Sequence, residues 1–193
     1  MTQPLLTILA GSNGSGKSTL TSSAREGFQL YPVLDPDALA KSIRNTVSQD
    51  GSDIEAGKQM LRRAEELLEA GQSFTVETTL SGSTYLRMSV RAKEKGYRLA
   101  VIFVGTSSVE INLERVRARV LQGGHDVAEE DQRRRYPRTL ANIQKLLPMA
   151  DLRILLDNST PQGYELVAVG APKLMEWIKP IPDWAKPLRS TLG

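Results

Sequence analysis

The chain has 193 residues, 40% of them hydrophobic and 24% charged, which suits one globular domain at about 150 residues each and argues against wholesale disorder. It contains no cysteine and a single histidine, His125, which removes disulfides, thiolate nucleophiles and Cys-based metal sites and weakens any Ser-His-Asp triad. A net charge of +3 is mild, no apolar run reaches the roughly 18 residues that span a bilayer, and the first residues lack the basic stretch of a signal peptide, so a cytoplasmic protein is expected.

In chain order, Leu5-Leu6-Thr7-Ile8-Leu9-Ala10 is a short apolar run ending at a glycine, the pattern of a strand buried on both faces of a parallel sheet. Similar runs at Tyr31–Asp35, Ser73–Glu77, Arg98–Val104, Leu152–Leu156 and Tyr164–Val169 are read as further strands. Helical patterns lie between them. Met60, Leu61, Ala64, Leu67 and Leu68 share one helix face that Gly71 can close. Ser52-x-x-Glu55 and Ser107-x-x-Glu110 read as capping boxes, and Leu113, Val116 and Val120 form the stripe of the helix after Ser107. Asp126 and Glu129 can start another helix, which Pro137 is expected to kink or divide near Tyr136, after which Leu140, Ile143 and Leu147 carry an apolar face.

Strands alternating with helices predict a three-layer α/β/α domain with a mostly parallel five- to six-stranded sheet. The domain is expected over residues 1–179, with a helical lid around 122–140. Residues 180–193, with Pro180, Pro182 and Pro187, read as an irregular tail pinned by Trp184.

Gly11-Ser12-Asn13-Gly14-Ser15-Gly16-Lys17-Ser18 fits G-x-x-x-x-G-K-[ST], with a buried strand before it and a helix-compatible segment, Lys17 to Ala24, after it. The glycines let backbone amides turn inward on phosphates, and the helix N-terminus adds partial positive charge. This segment, with Thr19, is the expected nucleotide site. Lys17 would bridge the β- and γ-phosphates, and Ser18 would ligate Mg²⁺.

In a parallel sheet the carboxyl ends of the strands share one edge, where ligands bind. That brings Asp35-Pro36-Asp37, Glu77-Thr78-Thr79 and Gly105-Thr106 to the phosphate loop. Asp37 is placed to take a proton from an acceptor hydroxyl, or equally to cap the helix beginning at Ala38. Glu77 could bind substrate hydroxyls, hold Mg²⁺ through water or pair with an arginine. Arg115 and Arg119 share a helix face and can stabilise a transferring phosphoryl group, or belong to a solvated basic helix; Arg117 points nearly opposite. Arg133, Arg134 and Arg135 point three ways around a helix, so not all reach one ligand. Gly123-Gly124 before His125 reads as a hinge for a lid.

Together these segments resemble the zeta-toxin family of P-loop kinases, over roughly Leu5 to Asn158. The resemblance rests on the phosphate loop, on Asp35-Pro36-Asp37, on Val76-Glu77-Thr78-Thr79-Leu80-Ser81-Gly82 and on Arg115-Val116-x-x-Arg119-Val120. It rests also on Gly123-Gly124-His125-Asp126-Val127 running into Arg133-Arg134-Arg135-Tyr136, and on Asp157-Asn158-Ser159. It implies the P-loop NTPase fold of the nucleoside and shikimate kinases, and a kinase that uses ATP or GTP and Mg²⁺ to phosphorylate the 3′-hydroxyl of UDP-N-acetylglucosamine. Asp37 is then the base, Glu77 and Thr79 are substrate-binding groups, and Arg115 with Arg119 stabilises phosphate. This chain is closer to the short chromosomal branch, in which His125 or a lid arginine such as Arg133 or Arg134 reaches the site. An antitoxin protein covering the nucleotide site is the implied partner, although no antitoxin segment is visible in the chain. Other readings are a kinase for an antibiotic, nucleoside or polynucleotide end, and a non-enzymatic nucleotide switch. The mild charge, without aromatic residues among the arginines, disfavours nucleic acid.

Overall fold

The computed structural model describes residues 3–27, 32–35 and 49–192. Its centre is one seven-stranded sheet: β1 (Leu5–Ala10), β2 (Val33–Leu34), β3 (Phe74–Thr78), β4 (Arg98–Gly105), β5 (Leu152–Asp157), β6 (Glu165–Ala171) and β7 (Leu174–Trp177), in the order β2-β3-β1-β4-β5-β6-β7. β2, β3, β1, β4 and β5 pair in parallel, whereas β6 and β7 fold back antiparallel. The expected strands are present, and β7 is an addition to them. Its four residues alternate between exposed and half-buried, Leu174 being 75% exposed while Met175 and Trp177 pack against the core, so no continuously buried apolar run marks this edge strand.

Burial explains the order of the strands. Leu6, Ile8 and Ala10 on one face of β1, and Thr7 and Leu9 on the other, are all buried, as a central parallel strand requires. In β4, Leu99, Val101 and Phe103 are buried alongside Ala100 and Val104. Helices α1 (Lys17–Gly27), α2 (Gln49–Glu69), α3 (Thr84–Glu94), α4 (Val109–Leu121) and α5 (Glu129–Leu146) complete a three-layer α/β/α fold. In α2, Ala64, Leu67 and Leu68 form the buried face, with Met60 and Leu61 packed at its margin.

Helix boundaries depart from the sequence reading in three places. α2 starts at Gln49, ahead of Ser52. The cap of α4 is Ser108 and not Ser107, its side chain accepting from the Ile111 amide at 3.5 Å. Pro137 lies inside α5 without dividing it. Proline removes one ladder bond and crowds the carbonyl four residues back, but α5 is fastened on both sides of it: Tyr136 Oη donates to the Thr106 carbonyl at 2.7 Å, Thr139 Oγ1 to the Thr79 carbonyl at 2.7 Å, and Asn142 Nδ2 to the Leu80 carbonyl at 2.8 Å.

The segment expected to be an irregular tail is ordered. A 3₁₀ turn, Asp183–Ala185, leads into α6 (Lys186–Leu192), and Trp184, Ala185 and Leu188 are buried. Their spacing is helical, and Pro187 falls in the first turn, where a missing N–H costs nothing. Trp184 packs on Phe103, with ring centroids 5.4 Å apart, and its Nε1 donates to Asp157 Oδ1 at 2.6 Å.

Candidate functional site

β1 runs between β3 and β4, and the loop Gly11–Ser18 leaves it at the carboxyl edge of the sheet. Ser12, Asn13, Ser15 and Lys17 are buried in this loop. The loop turns on itself, with the Ser15 amide donating to the Ser12 carbonyl at 3.1 Å, and Lys17 Nζ folds back on the same carbonyl at 3.0 Å. Asn13 Oδ1 and Ser15 Oγ are buried without a hydrogen-bond partner.

A cavity of about 350 Å³ opens over the loop, lined by Asn13, Gly14, Gly16, Lys17, Ser18, Thr19, Arg115 and Arg119. A second cavity, about 160 Å³, is lined by Asn13, Lys17, Asp35, Glu77, Thr78, Thr79 and Arg135. Asn13 and Lys17 belong to both, so the two spaces meet at the lysine.

Glu77, one residue from the end of β3 and paired in register with Leu9, is only 4% exposed. Its carboxylate accepts from Ser18 Oγ at 2.6 Å and from Thr21 Oγ1 at 3.0 Å. Burial lifts this carboxyl above the ordinary carboxylate range; the Lys17 charge and the Ser18 hydrogen bond oppose the rise, and the Asp35 charge adds to it. Beyond β3 the chain makes a sharp turn at Leu80, a buried residue with φ of 55°, a costly conformation for a side chain of this kind. Thr78 Oγ1 accepts the Leu80 amide at 3.0 Å, and the bonds from Thr139 and Asn142 hold the turn from the α5 side. Thr79 is kept in the second cavity, its Oγ1 sharing a hydrogen bond of 3.1 Å with Ser81 Oγ.

The arginines divide sharply. Arg115 and Arg119, one turn apart on α4, both line the larger cavity. Arg115 Nη1 donates to the Asn158 carbonyl at 2.6 Å. Arg119 Nη2 donates to the His125 carbonyl at 2.8 Å, and its Nε is buried with no partner. Gly123-Gly124-His125 therefore wraps the Arg119 side chain: the Gly124 amide donates to the Arg119 carbonyl at 2.9 Å, and a Cβ on Gly124 would lie 2.4 Å from Arg119 Cγ. His125 itself lines neither cavity; what it supplies to this arrangement is its carbonyl. Arg133 lies on the exposed face, bridging Glu110 at 2.8 Å and Glu129 at 2.9 Å. Arg134 and Arg135 both pair with Asp131, but Arg134 lies outside both cavities, whereas Arg135, turned about 100° further around the helix, lines the second. Asp37 lies outside the described residues.

Three groups at the site are given no role by the reading of the sequence, although Asn158 belongs to a segment that carries the family resemblance. Thr21 is one turn beyond the motif. Asn158 follows β5, where the rule that singled out Glu77 would also have found it. Tyr164, whose Oη donates to the Gly16 carbonyl at 2.6 Å, is 148 residues away and carries no local signal.

Known proteins bear on this arrangement. The model describing the zeta toxin family matches residues 1–156. An uncharacterized protein of Haemophilus influenzae is 38% identical over 126 residues, 65% of this chain and 88% of that one. Among solved structures, the fold is similar to a chain of the AvrRxo1-ORF1:AvrRxo1-ORF2 complex crystallised with sulphate ions (TM-score 0.74, 17% identity, 98% of this chain and 63% of that one). The form of that complex with ATP gives a TM-score of 0.72 at 17% identity, covering 99% and 64%. The chain thus spans less than two thirds of the length of those proteins. A structure from the PezAT chromosomal toxin–antitoxin system of Streptococcus pneumoniae has a TM-score of 0.64 at 18% identity, covering 100% of this chain and 87% of that one. The fold is shared with these structures, and no helix among the described residues is long and apolar enough to cross a membrane. By its sequence over more than three quarters of its length, the chain belongs to the zeta toxin family.

Proposed function

We propose that this protein is a kinase that moves the γ-phosphoryl group of ATP or GTP to a hydroxyl of a small acceptor, the 3′-hydroxyl of UDP-N-acetylglucosamine being the acceptor that the family resemblance implies. The observation that carries the reading is the meeting of the two cavities at Lys17, one floored by the phosphate loop with two arginines, the other bearing carboxylates. The larger takes the triphosphate and the smaller the acceptor alcohol. The neighbour crystallised with ATP supports a nucleotide in the larger cavity.

In this reading the amides of Gly11–Ser18 with Thr19 grip the phosphates, and Lys17 follows the γ-phosphoryl group as charge builds on the β,γ-bridging oxygen. The acceptor oxygen forms its bond to phosphorus as the bond to that bridging oxygen breaks; ADP leaves, and the hydroxyl proton passes to Asp37. Arg115 and Arg119 stabilise the charge spread over the equatorial oxygens. Glu77, Thr79 and Arg135 orient the acceptor. Ser18 Oγ, in the triphosphate cavity, and the Glu77 carboxylate bonded to it, in the acceptor cavity, are hard oxygen donors where the two spaces adjoin, a set that would hold Mg²⁺. The bound ion would neutralise the β- and γ-phosphates. An antitoxin protein closing the nucleotide cavity is the proposed partner, supported by the PezAT toxin–antitoxin neighbour, and the cytoplasm the proposed compartment.

The test is to incubate the protein with Mg·ATP and a panel of nucleotide sugars, and to follow by mass spectrometry an acceptor that gains one phosphate. The expected result is transfer to UDP-N-acetylglucosamine that Asp37→Asn removes while ATP binding remains. A panel that yields only ADP and inorganic phosphate would sink the reading.

A further inference from the structure

We infer that Asn158 and Tyr164, which stand outside the phosphate-loop motif, are positioning residues that hold the loop amides turned toward the triphosphate cavity. In a trans peptide the C=O and N–H of one unit point in opposite directions. Whatever holds a loop carbonyl therefore aims the amide that follows it. Asn158 Nδ2 donates to the Ser15 carbonyl at 2.8 Å, which turns the Gly16 N–H the other way. Tyr164 Oη donates to the Gly16 carbonyl at 2.6 Å, which does the same for the Lys17 N–H. Gly16 and Lys17 both line the cavity. The Gly16 carbonyl also accepts the Leu20 amide at 3.0 Å, so the second anchor seats the first turn of α1.

The anchors approach closely enough to dictate the residue between them. A Cβ on Gly16 would lie 2.5 Å from Asn158 Nδ2 and 2.9 Å from Tyr164 Oη, and its φ of +106° is itself one that only glycine adopts readily. Gly16 is thus required by its neighbours as much as by the phosphates.

Asn158 does more than brace the loop. It is 8% exposed, its own amide donates to the Gly105 carbonyl at the end of β4 at 2.9 Å, and its carbonyl accepts Arg115 Nη1 at 2.6 Å. One residue thereby sets the phosphate cradle and an arginine of the same cavity against a rigid strand end. Asp157 fastens this corner, accepting from Ser159 Oγ at 2.8 Å and Trp184 Nε1 at 2.6 Å. A glycine-rich loop without its anchors can rotate its peptide units, and binding must then re-order it.

This inference rests on the reading that the larger cavity takes a nucleoside triphosphate. Its test compares wild type with Asn158→Ala, which removes the side-chain donor and keeps the carbonyl that holds Arg115, and with Tyr164→Phe, which removes one hydroxyl. Mg·ATP affinity is measured by titration calorimetry well below each protein's ligand-free melting temperature. The expected result is a Kd raised roughly ten-fold in Asn158→Ala and three- to ten-fold in Tyr164→Phe. A merely structural role would lower the ligand-free melting temperature and leave the affinity of the folded protein alone; that outcome overturns the inference while wild-type binding preserves the functional reading. Should Asn158→Ala fail to fold, Tyr164→Phe decides. A wild-type protein that does not bind Mg·ATP removes the functional reading and this inference with it.

Discussion

Ser18 and Glu77, 59 residues apart in the chain, are joined by a hydrogen bond of 2.6 Å that ties the first turn of α1 to the end of β3. It puts a carboxylate beside the residue that ends the phosphate loop, and Thr21 holds the second oxygen at 3.0 Å. The carboxylate is buried against its preference.

That burial has a measurable consequence. The folded-state pKa of Glu77 stands above the unfolded value of about 4.3. Between those two values the folded state holds the proton that the unfolded state has released, so stability falls as pH rises through the interval. Glu77→Gln is expected to flatten that fall and to raise the ligand-free melting temperature at pH 7. Phosphoryl transfer should drop by about a hundred-fold or more. Calorimetric melting across pH, with a coupled ADP assay, measures both. A variant that melts lower at pH 7 than wild type contradicts the burial cost assigned to this carboxylate.

Arg134 and Arg135 are neighbours in sequence and both pair with Asp131, but only Arg135 reaches a cavity. Arg135 lines the cavity assigned to the acceptor, and Arg134 is the more exposed of the two. Arg135→Ala should raise the acceptor KM roughly ten-fold, and Arg134→Ala should leave it within about two-fold. Steady-state kinetics on the acceptor found by mass spectrometry decides; equal effects would remove Arg135 from the acceptor site.

Gly124 is constrained by space and not by its backbone angle, since its φ lies outside the left-handed region and the stem of Arg119 fills the place of a Cβ. Gly124→Ala should displace that arginine and lower kcat/KM by roughly ten- to a hundred-fold. Gly82→Ala, with open space where its Cβ would stand, serves as the control that leaves activity unchanged. If both substitutions prove silent, the placement of Arg119 contributes nothing to turnover.

Trp184 is the anchor of the C-terminal segment, buried against Phe103 and bonded to Asp157. Trp184→Ala should cost about 3–5 kcal/mol of unfolding free energy, measured by urea titration. A loss within experimental scatter would return this segment to the status of a tail.

How much of this could be read from residues in order depends on the range of the interaction involved. The phosphate loop, the doubly buried run of β1 and the carboxylates at the ends of β2 and β3 are local patterns, because glycine torsions and strand periodicity act over a few residues. The helical stripe Trp184-Ala185-Leu188 is local too, but three prolines mask it, and burial against Phe103 is what settles it. Pro137 shows the reverse: a strong local signal for a break is overruled by Tyr136, Thr139 and Asn142, which grip carbonyls 30 to 62 residues away.

By itself, then, the order of amino acids determined the parallel α/β core, the phosphate loop and the family to which the chain belongs. Only the tertiary structure decided that Arg135 and not Arg134 faces a cavity, that Gly124 serves Arg119, and that Asn158 and Tyr164 brace the loop from more than 140 residues away. The reason is physical: a torsional or periodic preference belongs to neighbouring residues, whereas a hydrogen bond across a sheet edge exists only once distant strands have been brought side by side.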